Sequence, residues 1–406
     1  MERAELARLL GMPRGCGPGS GEPVFIAERD HARFMAKFSS AVAGDAPIFL
    51  GDPVWGNAQR VRWEPLVARA AAMQAPEDRG WLLIPTGGTS GGLRFAAHDQ
   101  NTLHAAITGF CGHFRLKQVN AVGVLPLYHV GGLLSWLRCA VTGGVFTPWD
   151  WKALEAGRRP SLPSGEWNIS LVPTQLQRLL GAKEAVDWLK GFQNIFLGGG
   201  PIWPDLAEAA AAAQLRISLS YGLTETAAMV TALQPEEFLA GARSCGSPLP
   251  HAKLALAEDG TVHVAGESVF RGYYPDRIQT CELETGDLGR IDERGHLHIL
   301  GRRDAVIITG GKKVQPAEVE AALRASGEFS DVAVLGLPDP EWGETVVACY
   351  EAGGATPDVA KASASLAPYQ RPKRFVAVAP WPRNAPGKID RTILRAAVTD
   401  RLSSNR

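Results

Sequence analysis

The sequence predicts an α/β protein: a large N-terminal domain of parallel or mixed sheets covered by helices, with a β-rich subdomain, then a small α+β C-terminal domain. Three observations predict it. Apolar strand-like segments alternate with helical stretches up to about residue 240, the pattern of sheets covered by helices. Beyond that point, short alternating segments separated by polar turns indicate hairpins. At 406 residues the chain also exceeds what a single hydrophobic core holds. A boundary near Arg303–Asp304 divides it into 1–303 and 304–406, the second part being about 100 residues, a common domain size.

Each element has a local reason. GWLLIPTGGTSGGLRFAAH reads as a buried strand, a glycine loop and a second strand. AVGVLPLYHVGGLLSWLRCAV reads as a strand ending at Pro126, a turn around His129 and an apolar helix. EWNISLVPTQLQRLL is a strand followed by a helix starting at Pro173–Thr174. NIFLGGGPIWPDLAEAAAAAQLRISLSYG gives strand, glycine turn, alanine-rich helix and strand. GTVHVAGESVFRGYY and TGDLGRIDERGHLHILGRRD read as β-hairpins, the second with a polar Asp-Glu-Arg-Gly turn. In AVIITGGKKVQPAEVEAALRAS a strand meets a Gly310–Gly311 turn, and Pro316 opens a helix. VAVLGLPD and TVVACYEA then form a hairpin.

Composition narrows the function classes. The 42 basic and 42 acidic side chains cancel, and no block of like charge stands out. A nucleic-acid or anionic-membrane partner therefore has no electrostatic support; the partners expected are small molecules. Six scattered cysteines without a Cys-x-x-Cys pair suit reduced thiols better than a disulfide frame or a zinc site. The N-terminal MERAELARLLGMPRGCGPGS lacks the apolar run of a signal peptide. No stretch of ~18 apolar residues occurs, so no membrane span is expected. These features predict a soluble, cytoplasmic protein.

The glycine loop IPTGGTSGGLRF carries the first functional signal. Small residues let successive backbone N–H groups point inward as an anion nest, and Thr and Ser hydroxyls add donors. A phosphate cradle and a tight strand-to-strand turn both fit. A Walker A loop does not, because Leu93 stands where Lys must follow Gly87-x4-Gly92. The nucleophile-elbow pattern matches at Gly88-Thr89-Ser90-Gly91-Gly92, so a Ser90 hydrolase is a rival, although a helix should follow and LRFAAHD resembles a strand.

Further signals lie downstream. SYGLTETAAMV places Ser220, Tyr221, Thr224 and Glu225 after an apolar strand, where α/β sheets open their ligand crevice. A carboxylate beside a phosphate cradle needs a cation between them, so Glu225 reads as a Mg²⁺ ligand, or else as an exposed residue at a helix start. ETGDLGR puts Asp287 in a turn suited to accepting ribose hydroxyls. Arg302 ends a strand, and Lys388 sits on the Pro-Gly turn of PRNAPGKIDR, where a lysine is otherwise simply solvated.

Together, in this order from Pro85 to Arg391, these segments resemble the adenylate-forming superfamily of acyl- and aryl-CoA synthetases, luciferases and peptide-synthetase adenylation domains. The resemblance implies ATP, Mg²⁺ and CoA as cofactor and co-substrates, and a small carboxylic acid as substrate. It implies that Thr86, Gly87, Gly88, Thr89, Ser90, Gly91 and Arg94 hold the β- and γ-phosphates. Gly198, Gly199, Gly200 and Pro201 line adenine and the acyl substrate. Ser220, Tyr221, Gly222 and Thr224 belong to the ATP site, with Tyr221 near adenine and Thr224 on the α-phosphate; Ser220 also borders the acid. Glu225 serves Mg²⁺, and Asp287 and Arg302 bind the ribose. Asp304 is the hinge, Lys388 the mobile lysine of adenylation, and Gly310–Gly311 border the passage for pantetheine. Two departures stand out: Gly87 where the family often has Ser, and Leu93–Arg94 where it has Pro-Lys.

The short length, PTGGTSGGLRFAAH and PLYHVGGLLSWLR are similar to one branch, the 2-succinylbenzoate–CoA ligases of menaquinone and phylloquinone biosynthesis. Other aryl- or acyl-CoA ligases, carrier-loading adenylating enzymes and a catalytically silent nucleotide-binding protein are the alternatives. On this resemblance His129 gates or orients the acyl group, where helix capping is the bland role. Arg138, set in an apolar helix, faces the second carboxylate or the ketone of succinylbenzoate, or else snorkels to solvent.

Overall fold

The computed structural model describes residues 1–12, 22–71, 80–87, 93–200, 202–275, 282–383 and 389–404, and these form four sheets. The first sheet sets Val24–Ile26, Ile48–Leu50 and Leu82–Gly87 in parallel, then turns antiparallel at Leu93–His98. The second has seven strands. Its parallel core runs Ile217–Leu223, Asn194–Leu197, Asn168–Leu171, Ala121–Gly123 and Phe146–Pro148, with Ala228–Ala232 and Ser247–Pro248 added antiparallel at one edge. These strands are short apolar runs because both faces are covered, as parallel sheets require.

Helix starts follow local chemistry. The helix Pro173–Leu180 has proline at its first turn, as do Pro204–Ala212 and Pro316–Ala325. Gln100–Phe114 starts on an Asp99–Thr102 capping box. Val130–Thr142 stops at Gly143, whose φ of +68 is the left-handed form that glycine adopts freely. This last helix is buried almost all round, so it packs inside the domain, with Leu133, Leu134 and Leu137 against Phe38, Leu103 and Ile107. Among the described residues no helix is long and apolar enough to cross a membrane.

The third sheet is the antiparallel meander Ala252–Leu256, Thr261–Gly266, Glu282–Ile291 and Leu297–Arg302. The hairpin expected around the Asp-Glu-Arg-Gly turn is present, but the one expected within GTVHVAGESVFRGYY is not. Thr261–Gly266 pairs inside the third sheet, whereas Tyr273–Tyr274 leaves it and pairs with Phe95–Ala96 in the first. Burial decides this. The Tyr274 ring packs edge-on against Phe49, is 2% exposed, and donates its hydroxyl to the Leu66 carbonyl at 2.9 Å.

A short turn, Arg303–Ala305, leads to the fourth sheet. Ile307–Thr309 and Lys312–Val314 fold back on each other around Gly310–Gly311, adding a short strand that the sequence reading left out. Val332–Asp339 and Gly343–Glu351 form the expected hairpin, and Arg374–Val378 lies parallel to the latter.

Two buried carboxylates tie this sheet to its helices. Glu320, on Pro316–Ala325, accepts from the Val334 amide at 2.7 Å and from Arg391 at 2.5 Å. Asp331 pairs with both Arg324 and Arg383, and accepts from Trp381 Nε1 at 2.9 Å. Removing one partner from such a buried set leaves the others desolvated and unmatched. Asp331→Ala should therefore lower stability by about 3–5 kcal/mol in urea unfolding; a loss below about 1 kcal/mol would show that this cluster is not a structural tie.

Candidate active site

The parallel strands of the second sheet end on one edge, where open α/β sheets bind ligands. Gly198 to Gly200 follow Asn194–Leu197, and Ser220 to Leu223 finish the adjacent strand. Close approach explains two of these glycines. A Cβ on Gly198 would lie 2.7 Å from Ser220 Oγ, and one on Gly222 would lie 1.9 Å from the Ala228 carbonyl oxygen. Ser220 Oγ donates to the Leu197 carbonyl at 3.2 Å, joining the two strand ends.

The turn Thr224–Thr226 that follows is strained and braced. Ala227 and Ala228 have φ of +50 and +77, left-handed values that cost a side-chain-bearing residue of order 1–3 kcal/mol each. Thr226 Oγ1 donates to the Ala228 carbonyl at 2.7 Å. The Phe270 amide donates to the Glu225 carbonyl at 2.8 Å, and His98 Nε2 donates to the Thr224 carbonyl at 2.8 Å. His98 is fully buried and pushed down to about 4, chiefly by desolvation, so it is a neutral donor at ordinary pH.

On one side of this turn Tyr221, Asp287, Arg302 and Asp304 converge. The Tyr221 hydroxyl donates to Asp287 Oδ2 at 2.7 Å, and burial followed by that carboxylate raises its pKa. Arg302 Nη1 reaches Asp287 Oδ1 at 3.3 Å and the Thr285 carbonyl at 3.0 Å. Its Nε and Nη2 meet the two oxygens of Asp304 at 3.0 and 3.1 Å. Hydrogen bonding to Asp304 is the main cause that raises Arg302 above its ordinary value.

On the other side, Thr86 and Arg94 face each other across the antiparallel pair Leu82–Gly87 and Leu93–His98. Among the described residues, Thr86 Oγ1 is buried without a hydrogen-bond partner, as is Arg94 Nε. The Arg94 guanidinium lies 4.2 Å over the Tyr273 ring, and the Tyr273 hydroxyl donates to Glu225 Oε1 at 2.8 Å. Gly88, Thr89, Ser90, Gly91, Pro201 and Lys388 lie outside the described residues. The loop enters a strand at Leu93, not a helix, which removes the structural support for a Ser90 elbow. The stretch holding Lys388 is bracketed by a bridge between Arg383 and Ile389, and by the Arg383–Asp331 and Arg391–Glu320 pairs.

Glu225 fits a Mg²⁺ site. Its Oε2 has no protein partner among the described residues, and these hold no cluster of three or more metal-binding side chains. A single carboxylate suits Mg²⁺, which completes its shell with water and substrate phosphates.

His129 occupies the N-cap of Val130–Thr142, but its side chain makes no capping hydrogen bond; its ring lies 4.7 Å from that of Tyr128. Arg138 does not snorkel: it is 4% exposed, and its guanidinium lies 3.8 Å over the Phe110 ring. Among the described residues no carboxylate pairs with it, and burial pushes it down to about 10. It lines a cavity of about 10 Å³ with Asn168, Ser170 and Phe196, room for about one water. Gly310 has φ of +54 and lies under Trp342, where a Cβ would come within 2.8 Å of the ring; Gly311, at +72, meets nothing within 4 Å. Sequence reading missed Tyr273 and His98. The aromatic pair in RGYY was the available signal for the first, and the histidine just before the Asp99 cap for the second.

The architecture is that of the adenylate-forming enzymes. Residues 28–274 match the AMP-binding enzymes and residues 318–388 the AMP-binding enzyme C-terminal domain; the chain belongs to this family. Among curated relatives, the 2-succinylbenzoate–CoA ligase of Oceanobacillus iheyensis is 32% identical over 284 residues, 66% of this chain and 59% of that protein. That of Geobacillus kaustophilus is 34% identical over 301 residues, 68% and 61%. The matched region thus spans about three fifths of these relatives' length. The fold is shared with o-succinylbenzoate CoA synthetase of Bacillus subtilis in complex with its acyl-adenylate intermediate, at a TM-score of 0.78, 21% identity, and 97% and 91% coverage of the two chains. ATP-bound MatB of Rhodopseudomonas palustris also has a TM-score of 0.78, at 22% identity and 98% and 93% coverage.

Because His98 titrates near 4 in the folded chain and near 6.5 when unfolded, the unfolded state takes the proton first as pH falls. Its contribution is complete above about 6.5 and is lost progressively down to about 4, at most about 3 kcal/mol. His251, likewise pushed down to about 4 by burial, adds to the trend. Unfolding free energies measured between pH 7 and 4 should fall accordingly. His98→Gln should make that slope shallower by about 1.4 kcal/mol per pH unit; an unchanged slope would rule out the buried neutral state.

Proposed function

We propose that this chain is an ATP-dependent acid–CoA ligase that forms an acyl-adenylate and then a CoA thioester, with 2-succinylbenzoate as its acid and the cytoplasm as its place of work. The observations that carry the reading are the hydrogen-bonded group of Tyr221, Asp287 and Arg302 and, nearby, Tyr273 joining Glu225 to Arg94, which pairs across the strands from Thr86. A ribose needs hydroxyl acceptors such as Asp287, and a phosphate chain needs cationic and hydroxyl donors such as Arg94 and Thr86. The free thiols of Cys111, Cys139, Cys245 and Cys349 suit a reducing compartment.

A carboxylate is a poor electrophile because it is anionic and would have to expel oxide. Joining it to AMP removes the charge and supplies a leaving group. Its attack on the α-phosphorus brings two anions together, so the residues around that atom must be positive or donate hydrogen bonds. Asp287 accepts the ribose hydroxyls while Arg302 holds that carboxylate in place. Tyr221 borders adenine together with Ser220 and Gly222. Thr224 donates to the α-phosphate. Thr86, Arg94 and the loop from Gly87 to Gly91 grip the outer phosphates. Mg²⁺ bound at Glu225 would supply positive charge against the phosphates. Lys388 stabilises the charge that develops on transfer; a lysine about 4 Å away contributes about 4 kcal/mol at an effective dielectric near 20, roughly a thousandfold in rate.

Thioester formation needs a different arrangement. Residues 304–406 turn about Asp304, withdrawing Lys388 and bringing Gly310–Gly311 to the pantetheine passage. Gly311, with open space around it, leaves room for a narrow chain. Arg138 faces the second carboxylate or the ketone of the acid, directly or through water, with His129 orienting the acyl group. A buried guanidinium without a carboxylate supports that assignment, because it favours an anionic ligand.

Acid-dependent exchange of labelled pyrophosphate into ATP should be observed with 2-succinylbenzoate and not with a hydrolase or a silent nucleotide binder. Lys388→Ala should cut exchange about a thousandfold while sparing thioester formation from supplied acyl-adenylate; equal loss in both steps would refute the division of labour. Arg138→Ala should erase discrimination between succinylbenzoate and benzoate in the same exchange assay, and unchanged discrimination would remove Arg138 from the acid site.

A further inference from the structure

The strand Tyr273–Tyr274 is fastened along the edge of the first sheet. Tyr273 and Tyr274 pair with Ala96 and Phe95. The Arg271 amide donates to the Ala97 carbonyl at 2.7 Å, and the Ala97 amide returns a bond to Gly272 at 3.0 Å. Arg271 Nε donates to Asp99 Oδ2 at 2.7 Å, and Asp99 is buried. From this fixed strap Tyr273 reaches both halves of the phosphate side. Its hydroxyl donates to Glu225 Oε1 at 2.8 Å, and its ring carries the Arg94 guanidinium at 4.2 Å. Phe270, packed edge-on against Tyr273 at 4.8 Å, binds the Glu225 carbonyl through its amide. Glu225 is thus held by backbone and side chain from one segment, while its Oε2 is left without a protein partner among the described residues.

We propose that Tyr273 is a positioning residue that couples the metal carboxylate to the phosphate-binding cation, fixing the Glu225 carboxylate through its hydroxyl and the Arg94 guanidinium through its ring face. The inference rests on the adenylating reading of this site and deepens it. It also accounts for arginine at position 94. A planar guanidinium lies flat on an aromatic face and keeps its N–H groups for a ligand, whereas an ammonium is a hydrated point charge.

The hydroxyl and the ring are separable. Mn²⁺ binding, followed by its electron paramagnetic resonance signal in the presence of a non-hydrolysable ATP analogue, reads the first. Affinity for the analogue without metal reads the second. Tyr273→Phe should weaken Mn²⁺ about tenfold, the lower end of what lost outer-shell partners of metal ligands cost, with metal-free analogue affinity unchanged. Tyr273→Leu should weaken both. Arg94→Lys should weaken the analogue when Tyr273 is present and have no further effect in Tyr273→Leu. Unchanged Mn²⁺ affinity in Tyr273→Phe would overturn the proposal. So would equal losses of Mn²⁺ and metal-free analogue in that variant, because they would report general damage to the site. Absence of pyrophosphate exchange in the unaltered protein would instead overturn the adenylating reading.

Discussion

Pairing with carboxylates fixes the arginines that tie the parts of this chain together. Arg324 and Arg383 share Asp331, Arg391 takes Glu320, Arg271 takes Asp99, and Arg302 spans Asp287 and Asp304. These pairs build the scaffold. Arg94 and Arg138 are different: among the described residues each meets the face of an aromatic ring and no carboxylate. A ring face offers about 0.5–2 kcal/mol, less than the several kcal/mol that burying an ion costs. For the fully buried Arg138 the remainder is unmet electrostatic potential that an anionic ligand would satisfy. The two rings belong to strap and helix positions far apart in sequence, Tyr273 and Phe110, so the fold itself sets the spacing between the two sites.

Local chemistry made much of the fold legible before any coordinates. Prolines at 173 and 316 each stand at a helix start, and the Asp292–Gly295 turn closes a hairpin, because proline and glycine restrict or permit backbone angles regardless of context. The pairing of Tyr273–Tyr274 with Phe95–Ala96 was not legible. It links residues about 180 positions apart, and the alternation in RGYY suits a local hairpin equally well. What decides between them is the buried site for Tyr274 against Phe49, which exists only once the first sheet has formed.

The site divides in the same way. Tyr221, Asp287 and Arg302 could be named from short motifs because each motif carries its own turn or strand end, and the structure brings these side chains together. Tyr273 and His98 could not, since their parts depend on partners from other elements: Glu225 and Arg94 for one, the Thr224 carbonyl for the other. A motif read along the chain shows which residues touch a ligand. The residues that hold those in place belong to the packing, and packing is a property of three dimensions.

The junction near Arg303 follows from the same electrostatic sorting. Across it, Arg324 stacks on Trp203, the residue capping the helix just beyond the Gly198–Gly200 turn, at 4.6 Å. Arg324 draws its ionic partner from Asp331 in its own part of the chain. The Trp203 ring contributes a cation–π contact of about 0.5–2 kcal/mol, and the charge of Asp205, on the same helix, also acts on Arg324. The Arg302–Asp304 pair is half-exposed on both sides, so water can replace it at a cost of about 1 kcal/mol or less.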